Sequence, residues 1–174
     1  SSTGSEVASK ISYYPELTLD QFIFKMKHPS LRKVQSLNIY AMVDILNIDL
    51  NYQMKITELN GLHNDRGLVL PGVHFSLMIN LDTPNLSSTY ITSFLTNVLS
   101  NLSNIDFDLY CGSQAQKKLV FAIKDIYSIS GMLVDQSHCL SVTTIEDSSL
   151  STELYHKIRL LCNKESLLSR KTTI

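Results

Sequence analysis

Apolar and polar residues alternate without interruption from Leu46 to Thr57. Leu46, Ile48, Leu50, Tyr52, Met54 and Ile56 are apolar, and Asn47, Asp49, Asn51, Gln53, Lys55 and Thr57 between them are polar. A period of two predicts a β-strand, or a tight strand pair, with one face on a core and one in water. A sheet open to solvent on one side is largely antiparallel and covered by helices on the other. Val73, Phe75, Leu77, Ile79 and Leu81 alternate in the same way with His74, Ser76, Asn80 and Asp82; Met78 is the exception and Pro84 ends the run. Ile105, Phe107 and Leu109 alternate with Asp106, Asp108 and Tyr110. Leu119 to Ile123 is continuously apolar, and Met132–Val134 and Leu140–Ile145 supply one or two further strands.

Helical spacing appears between these runs. Thr18-Leu19-Asp20-Gln21 has the form of a capping box, followed by Phe22, Ile23 and Met26, and Pro29 stops that helix. Ser30 can cap a second helix with Leu31, Val34, Ala41 and Ile45 on one face, although Ile39 and Val43 also suit a strand. Ser87 or Ser88 caps the clearest helix, in which Ile91, Phe94, Leu95, Val98, Leu99 and Leu102 form a stripe wide enough to face a core. Asp147 or Ser148 caps the last, with Leu150, Leu154, Ile158 and Leu161 on one side. Asn60-Gly61 and the polar residues 63–67 predict a turn.

This order of elements defines an α+β chain with antiparallel, half-exposed sheet or sheets covered by helices. It divides into two similar halves of β-meander plus helix, 11–104 and 105–174, either as separate units or as one continuous domain. Residues 1–10 read as a flexible leader. The start Ser1-Ser2-Thr3-Gly4-Ser5 is expected to be added sequence ahead of a fragment of a larger protein.

The 174 residues are 44% hydrophobic and 18% charged, as in a folded globular protein. A net charge of −1 argues against a grip on nucleic acid through phosphate neutralisation. The short basic run Lys164, Arg170, Lys171 keeps a local patch as an alternative. Cys111, Cys139 and Cys162, with no CxxC spacing, read as reduced thiols of an intracellular protein, nuclear or cytoplasmic. There is no apolar run of membrane-spanning length, so no membrane association is expected. The sequons at Asn85 and Asn101 are read as chance matches in a chain rich in Asn and Ser.

Little in the sequence points to chemistry. GxxxxGK[ST] and GxGxxG are absent, as are HExxH and paired-cysteine spacings, so no cofactor, metal ligand or catalytic residue is predicted. The enzymatic alternative is a small hydrolase or transferase whose site is assembled from scattered residues, with His74, His138, Asp106, Asp108 and Cys111 as candidates. The more unusual feature is that no charged residue occurs from Thr83 to Ile105. The polar face of that helix carries Thr92, Ser93, Thr96, Asn97, Ser100 and Asn101, small uncharged groups that desolvate cheaply. Those six, with Tyr13 and Tyr14 ahead of the first helix, are the candidate protein interface. The expected function is a non-enzymatic protein–protein interaction module, a subunit of a larger hetero-oligomeric assembly. Leu50 and Phe94 are expected in the core.

The layout resembles the RWD-type domains of eukaryotic scaffold proteins, kinetochore subunits among them. The matching stretches are 31–45, 46–81 and 87–103, then 105–145 and 148–169. Leu81-Asp82-Thr83-Pro84 stands where that family often carries a YPxxxP turn. The resemblance implies a module, single or in tandem, that pairs with other subunits.

Overall fold

The computed structural model describes residues 10–34, 36–57, 72–84, 86–101 and 105–172. The elements are β1 (Lys10–Thr18), α1 (Leu19–Met26), β2 (Leu37–Val43), α2 (Leu50–Thr57), β3 (Val73–Ile79), α3 (Ser88–Asn101), β4 (Asp106–Cys111), β5 (Lys118–Ile123), β6 (Tyr127–Leu133), β7 (His138–Glu146), α4 (Ser148–Asn163) and β8 (Ser166–Lys171). Short 3-10 turns at Pro29–Lys33, Ile45–Asn47 and Ser113–Ala115 connect them. All eight strands join one sheet in the order β1-β7-β6-β5-β2-β3-β4-β8. The α+β class is as the sequence predicts.

The strand directions are mixed. β2, β3 and β4 run parallel, and the remaining pairings are antiparallel. The sheet crosses residue 104 at three places, through the pairs β1–β7, β2–β5 and β3–β4. Odd-numbered side chains of the central strands, among them Ile39, Phe75, Phe107 and Phe121, pack with Phe22 of α1, Ile56 of α2 and Phe94 and Val98 of α3. The other face of the same strands presents Tyr40, Met42, Met78, Tyr110 and Val120 to Tyr155, Ile158 and Cys162 of α4. The centre of the sheet is therefore covered on both faces. The half-exposed sheet of the sequence reading survives only toward the two edges, β1 and β8.

The largest correction concerns the longest alternation. Residues 46–57 form no strand: Ile45–Asn47 is a 3-10 turn and Leu50–Thr57 is α2. Parallel β2 and β3 cannot be joined by a hairpin, and their connection must cross the sheet, usually as a helix. Once helical, the segment buries Gln53, Ile56 and Thr57 at spacings of three and one, and leaves Leu50 59% exposed. Two polar side chains enter the interior with their donors paired, although the buried Gln53 Oε1 accepts from no group among the described residues. Gln53 Nε2 donates to the Ile48 carbonyl at 3.0 Å and Thr57 Oγ1 to the Gln53 carbonyl at 3.0 Å. Likewise, Leu31, Ala41 and Ile45 do not share a helix: His28 Nδ1 accepts from the Ser30 N–H to start a 3-10 turn, and residues 37–43 become β2.

Other local signals hold. Thr18 and Gln21 make the reciprocal capping box of α1. Ser87 Oγ accepts from Tyr90 N–H at the start of α3, and Asp147 accepts from Leu150 N–H at the start of α4. β1 and β8, the two edges, were not predicted as strands. The Asn60-Gly61 turn, residues 1–9 and Asn85 lie outside the described residues.

Candidate functional site

Three surfaces carry features that core packing does not explain. The first lies where β1, β7 and β6 extend past α4. Tyr14, Leu17, Cys139, Val142, Ile129 and Leu133 of these strands pack on the α1 side. The alternating positions therefore point from the opposite face, where α4 does not reach far enough to cover them. There Tyr13 is 61%, Ile11 56%, Met132 54% and Leu140 36% exposed. Register pairs Met132 with Leu140 across β6 and β7, while on β1 Ile11 stands opposite Ile145, Tyr13 opposite Thr143 and Glu16 opposite Leu140. The Tyr13 hydroxyl lies 3.5 Å from Ser141 Oγ, so its ring leans toward Leu140.

A bulge shapes this surface. Between the pairs Ser130–Thr143 and Met132–Leu140, β7 carries one residue more than β6. Ser141 takes up the extra length at φ 53°. Opposite it, Gly131 leaves little room for a side chain, since an added Cβ would lie 3.1 Å from Val142 Cγ2, which would have to shift by a few tenths of an ångström. The bulge increases the local twist and lets Cys139 and Val142 both face the core, although they are three residues apart.

The second surface is a polar cluster beneath the C-terminal strand. Asp108 is buried. Its Oδ1 accepts from Arg170 Nε at 2.8 Å, and its Oδ2 lies 3.2 Å from His74 Nε2 and 3.4 Å from the donating Ser76 Oγ. Arg170 Nη2 also reaches the Tyr110 hydroxyl at 3.5 Å. The Asp108 carboxylate, first through its hydrogen bond and then through its charge, raises the pKa of the exposed Arg170. The cluster ties β8 to β4 and β3. It contains an Asp–His pair, but the neighbouring hydroxyl, Ser76, is fully buried.

The third is a cleft of about 330 Å³ beyond the carboxyl ends of β2 and β3, lined among others by Asp44, Asn47, Asn80, Asp82, Lys117 and Asp135. Open sheets with parallel strands place their clefts there because loops diverge at that end. Asp44 is buried and satisfied: it accepts from Lys117 N–H at 2.8 Å and from Asn47 Nδ2 at 2.9 Å. That bond holds Lys117 at φ 57°. Asp135 is held below the usual carboxylate range by the Ser137 N–H and by His138.

The residues singled out in the sequence are scattered over these surfaces. His74 and Asp108 come together; His138 pairs instead with Asp135, at 3.1 Å. Asp106 and Asp108 lie on one side of β4, as the alternation implies, and Asp108 contacts both Arg170 and His74. Cys111 ends β4, half-buried, whereas Cys139 and Cys162 are fully buried. Thr92, Ser93, Thr96, Asn97 and Ser100 do form an exposed, uncharged face on α3, and Asn101 closes that helix. Of the two tyrosines, Tyr13 faces solvent while Tyr14 packs against the core with Lys25 Nζ 4.2 Å from its ring centroid. Met132 and Leu140 were missed, because a bulge strand gives no regular period to read. The alternation Ile11, Tyr13 against Lys10, Ser12 was the available signal for β1. Among the described residues no group of three or more His, Cys, Asp or Glu side chains is placed to hold a metal ion, and no helix is long and apolar enough to cross a membrane.

No family model and no curated protein matches the chain. Among solved structures it is similar to TrmBL2, described as an archaeal chromatin protein with a novel mode of DNA binding, with a TM-score of 0.49, 10% identity, 94% of this chain covered and 55% of that one. It is similar also to Nuc, a phospholipase D family member from Salmonella typhimurium, with a TM-score of 0.49, 10% identity, 95% of this chain covered and 99% of that one. The chain thus spans about half the length of the TrmBL2 chain and nearly all of Nuc.

Proposed function

We propose that the chain is a protein-binding module that docks partner subunits on the uncovered sheet face of β1, β7 and β6. The observation that carries this reading is the joint exposure of Ile11, Tyr13, Met132 and Leu140 on neighbouring strands. Apolar side chains exposed singly are ordinary, but several on adjacent strands of one sheet face mark a docking surface or an aggregation hazard. Tyrosine with aliphatic neighbours and a polar surround of Ser130, Ser141 and Thr143 matches the composition of interface centres. The uncharged face of α3 offers a second contact of lower desolvation cost.

The test is affinity purification of the tagged parent protein from its source, followed by mass spectrometry of what co-purifies at near-equal amounts. Met132→Glu with Leu140→Glu should remove stoichiometric partners, because a buried unpaired carboxylate is costly. Thr92, Thr96 and Ser100 replaced together by Glu tests the α3 face in the same way. Partner yield unchanged in both folded variants would refute the reading.

One observation favours a second reading. The cleft at the carboxyl ends of β2 and β3 has the size and position of a small-molecule site. A hydrolase or ligand-binding role there predicts that metabolite screening by thermal shift finds a stabilising compound whose effect is lost in Asn80→Leu.

A further inference from the structure

We infer that β1 pairs antiparallel with β1 of a second copy of this chain, joining two eight-stranded sheets across a two-fold axis at Ser12. β1 is the last strand of the sheet, and among the described residues only β7 pairs with it. An unpaired edge is a template for strand addition unless it is blunted by Pro, by charge or by a bulge. The opposite edge is blunted: β8 is short, shifts register against β4 between Leu109 and Tyr110, and ends in Arg170 and Lys171. β1 is blunted toward its ends, by the charges of Lys10 and Glu16 and by Pro15, which cannot donate a ladder hydrogen bond. Lys10–Tyr14 remain as five consecutive residues without proline, of which only Lys10 is charged.

These five residues are self-complementary in one register. Centred on Ser12, the antiparallel pairs are Lys10 with Tyr14 of the second copy, Ile11 with Tyr13, and Ser12 with Ser12. Ile11 and Tyr13 share the outer face, so each two-fold-related pair sets an aromatic ring against a β-branched side chain, a favourable cross-strand combination. Lys10 and Tyr14 share the other face, where the lysine stem can lie along the ring. Centring on Tyr13 instead sets Ile11 against Pro15 and places Lys10 opposite Glu16, whose side chain leaves from the other face. The symmetric pairing is also closed, since it consumes the same edge on both copies. The two exposed side chains of the patch edge, Ile11 and Tyr13, would each gain a cross-strand neighbour.

This inference uses the same exposed residues as the partner-binding reading but is tested separately from it. Ser12→Cys places two sulfurs on the axis, where paired Cα atoms lie within disulfide reach; Lys10→Cys leaves them four positions out of register and beyond it. Under mild oxidation with copper phenanthroline, Ser12→Cys should form a disulfide dimer at least about ten times faster than Lys10→Cys or the unsubstituted chain. Light scattering over a concentration series should move the unsubstituted chain from monomer toward twice that mass, and Ile11→Glu should hold it at monomer. Met132→Glu with Leu140→Glu should leave the cross-link in place, so loss of partners with retained dimerisation sinks neither claim by way of the other. A monomer at all concentrations, equal cross-linking at positions 10 and 12, or open filaments would overturn the inference.

Discussion

Replacing Arg170 by Met tests whether the Asp108 cluster holds the C-terminal edge of the sheet. Asp108 is buried and receives its strongest hydrogen bond, 2.8 Å, from Arg170 Nε; among the described residues its other oxygen has the longer contacts to His74 at 3.2 Å and Ser76 at 3.4 Å. Stranding a fully buried charge costs roughly 3–5 kcal/mol. Arg170 is more than half exposed, so water reaches the carboxylate once the guanidinium is gone. A charged hydrogen bond at such a boundary contributes about 1.5–3 kcal/mol, and the lower half of that range applies here. For a domain of 174 residues, each kcal/mol moves the melting temperature by about 2–4 °C, so Arg170→Met should melt roughly 3–9 °C lower. Methionine keeps the aliphatic packing of the stem, so the loss reports the charge. Asp108→Asn and the double variant complete a cycle whose coupling energy should be about 1 kcal/mol. Hydrogen exchange should localise the effect, with amides of Ser166–Lys171 exchanging faster than those of β2. A loss under about 0.3 kcal/mol, or additive single variants, would mean that the ion pair is ornamental and β8 is held by its backbone ladder alone.

Other expectations are simpler. Phe94→Ala should destabilise by roughly 3–5 kcal/mol because the ring is buried between α3 and the sheet, whereas Leu50→Ala, predicted from the alternation to be a core change, should cost no more than about 0.5 kcal/mol now that its side chain faces solvent. Urea titrations of both decide the assignment of the buried face. Gly131→Ala should cost about 1–3 kcal/mol, since its Cβ would press on Val142 at 3.1 Å; a neutral result would show that the bulge relaxes freely. Stability should fall as pH rises above about 9. Burial pushes Cys139 up to about 11 and Cys162 up to about 12, with Glu165 and Asp108 adding to the latter, and burial likewise pushes Tyr40 up to about 12. The unfolded chain releases these protons first, so it binds fewer of them, and the stability present below pH 9 is lost through the alkaline range at about 1.4 kcal/mol per unit for each group. A flat stability profile from pH 8 to 10.5 would contradict the burial of these groups.

Much of the secondary structure was legible in the sequence because local physics specifies it. The capping box at Thr18–Gln21, the Phe94–Val98 stripe, the Asp147 cap and the alternations of β3 and β4 each depend on side chains within a turn or two of one another. The uncharged face of α3 was legible for the same reason. What failed, failed for want of a distant partner. The Leu46–Thr57 alternation became a turn and a helix because parallel β2 and β3 demand a crossover, and nothing within those twelve residues records which strands they lie between. Tyr13 was read as a contact residue without its strand, since β1 is ordered by β7, whose Ser141 lies 128 positions away. Met132 and Leu140 joined the candidate surface only through the bulge that sets them side by side. Sequence alone thus determined the α+β class, the N-terminal caps of α1, α3 and α4 and the uncharged character of α3. Tertiary structure decided strand direction, which edges stay open, and which apolar side chains remain uncovered, because those follow from pairing between segments whose own patterns are compatible with more than one neighbour.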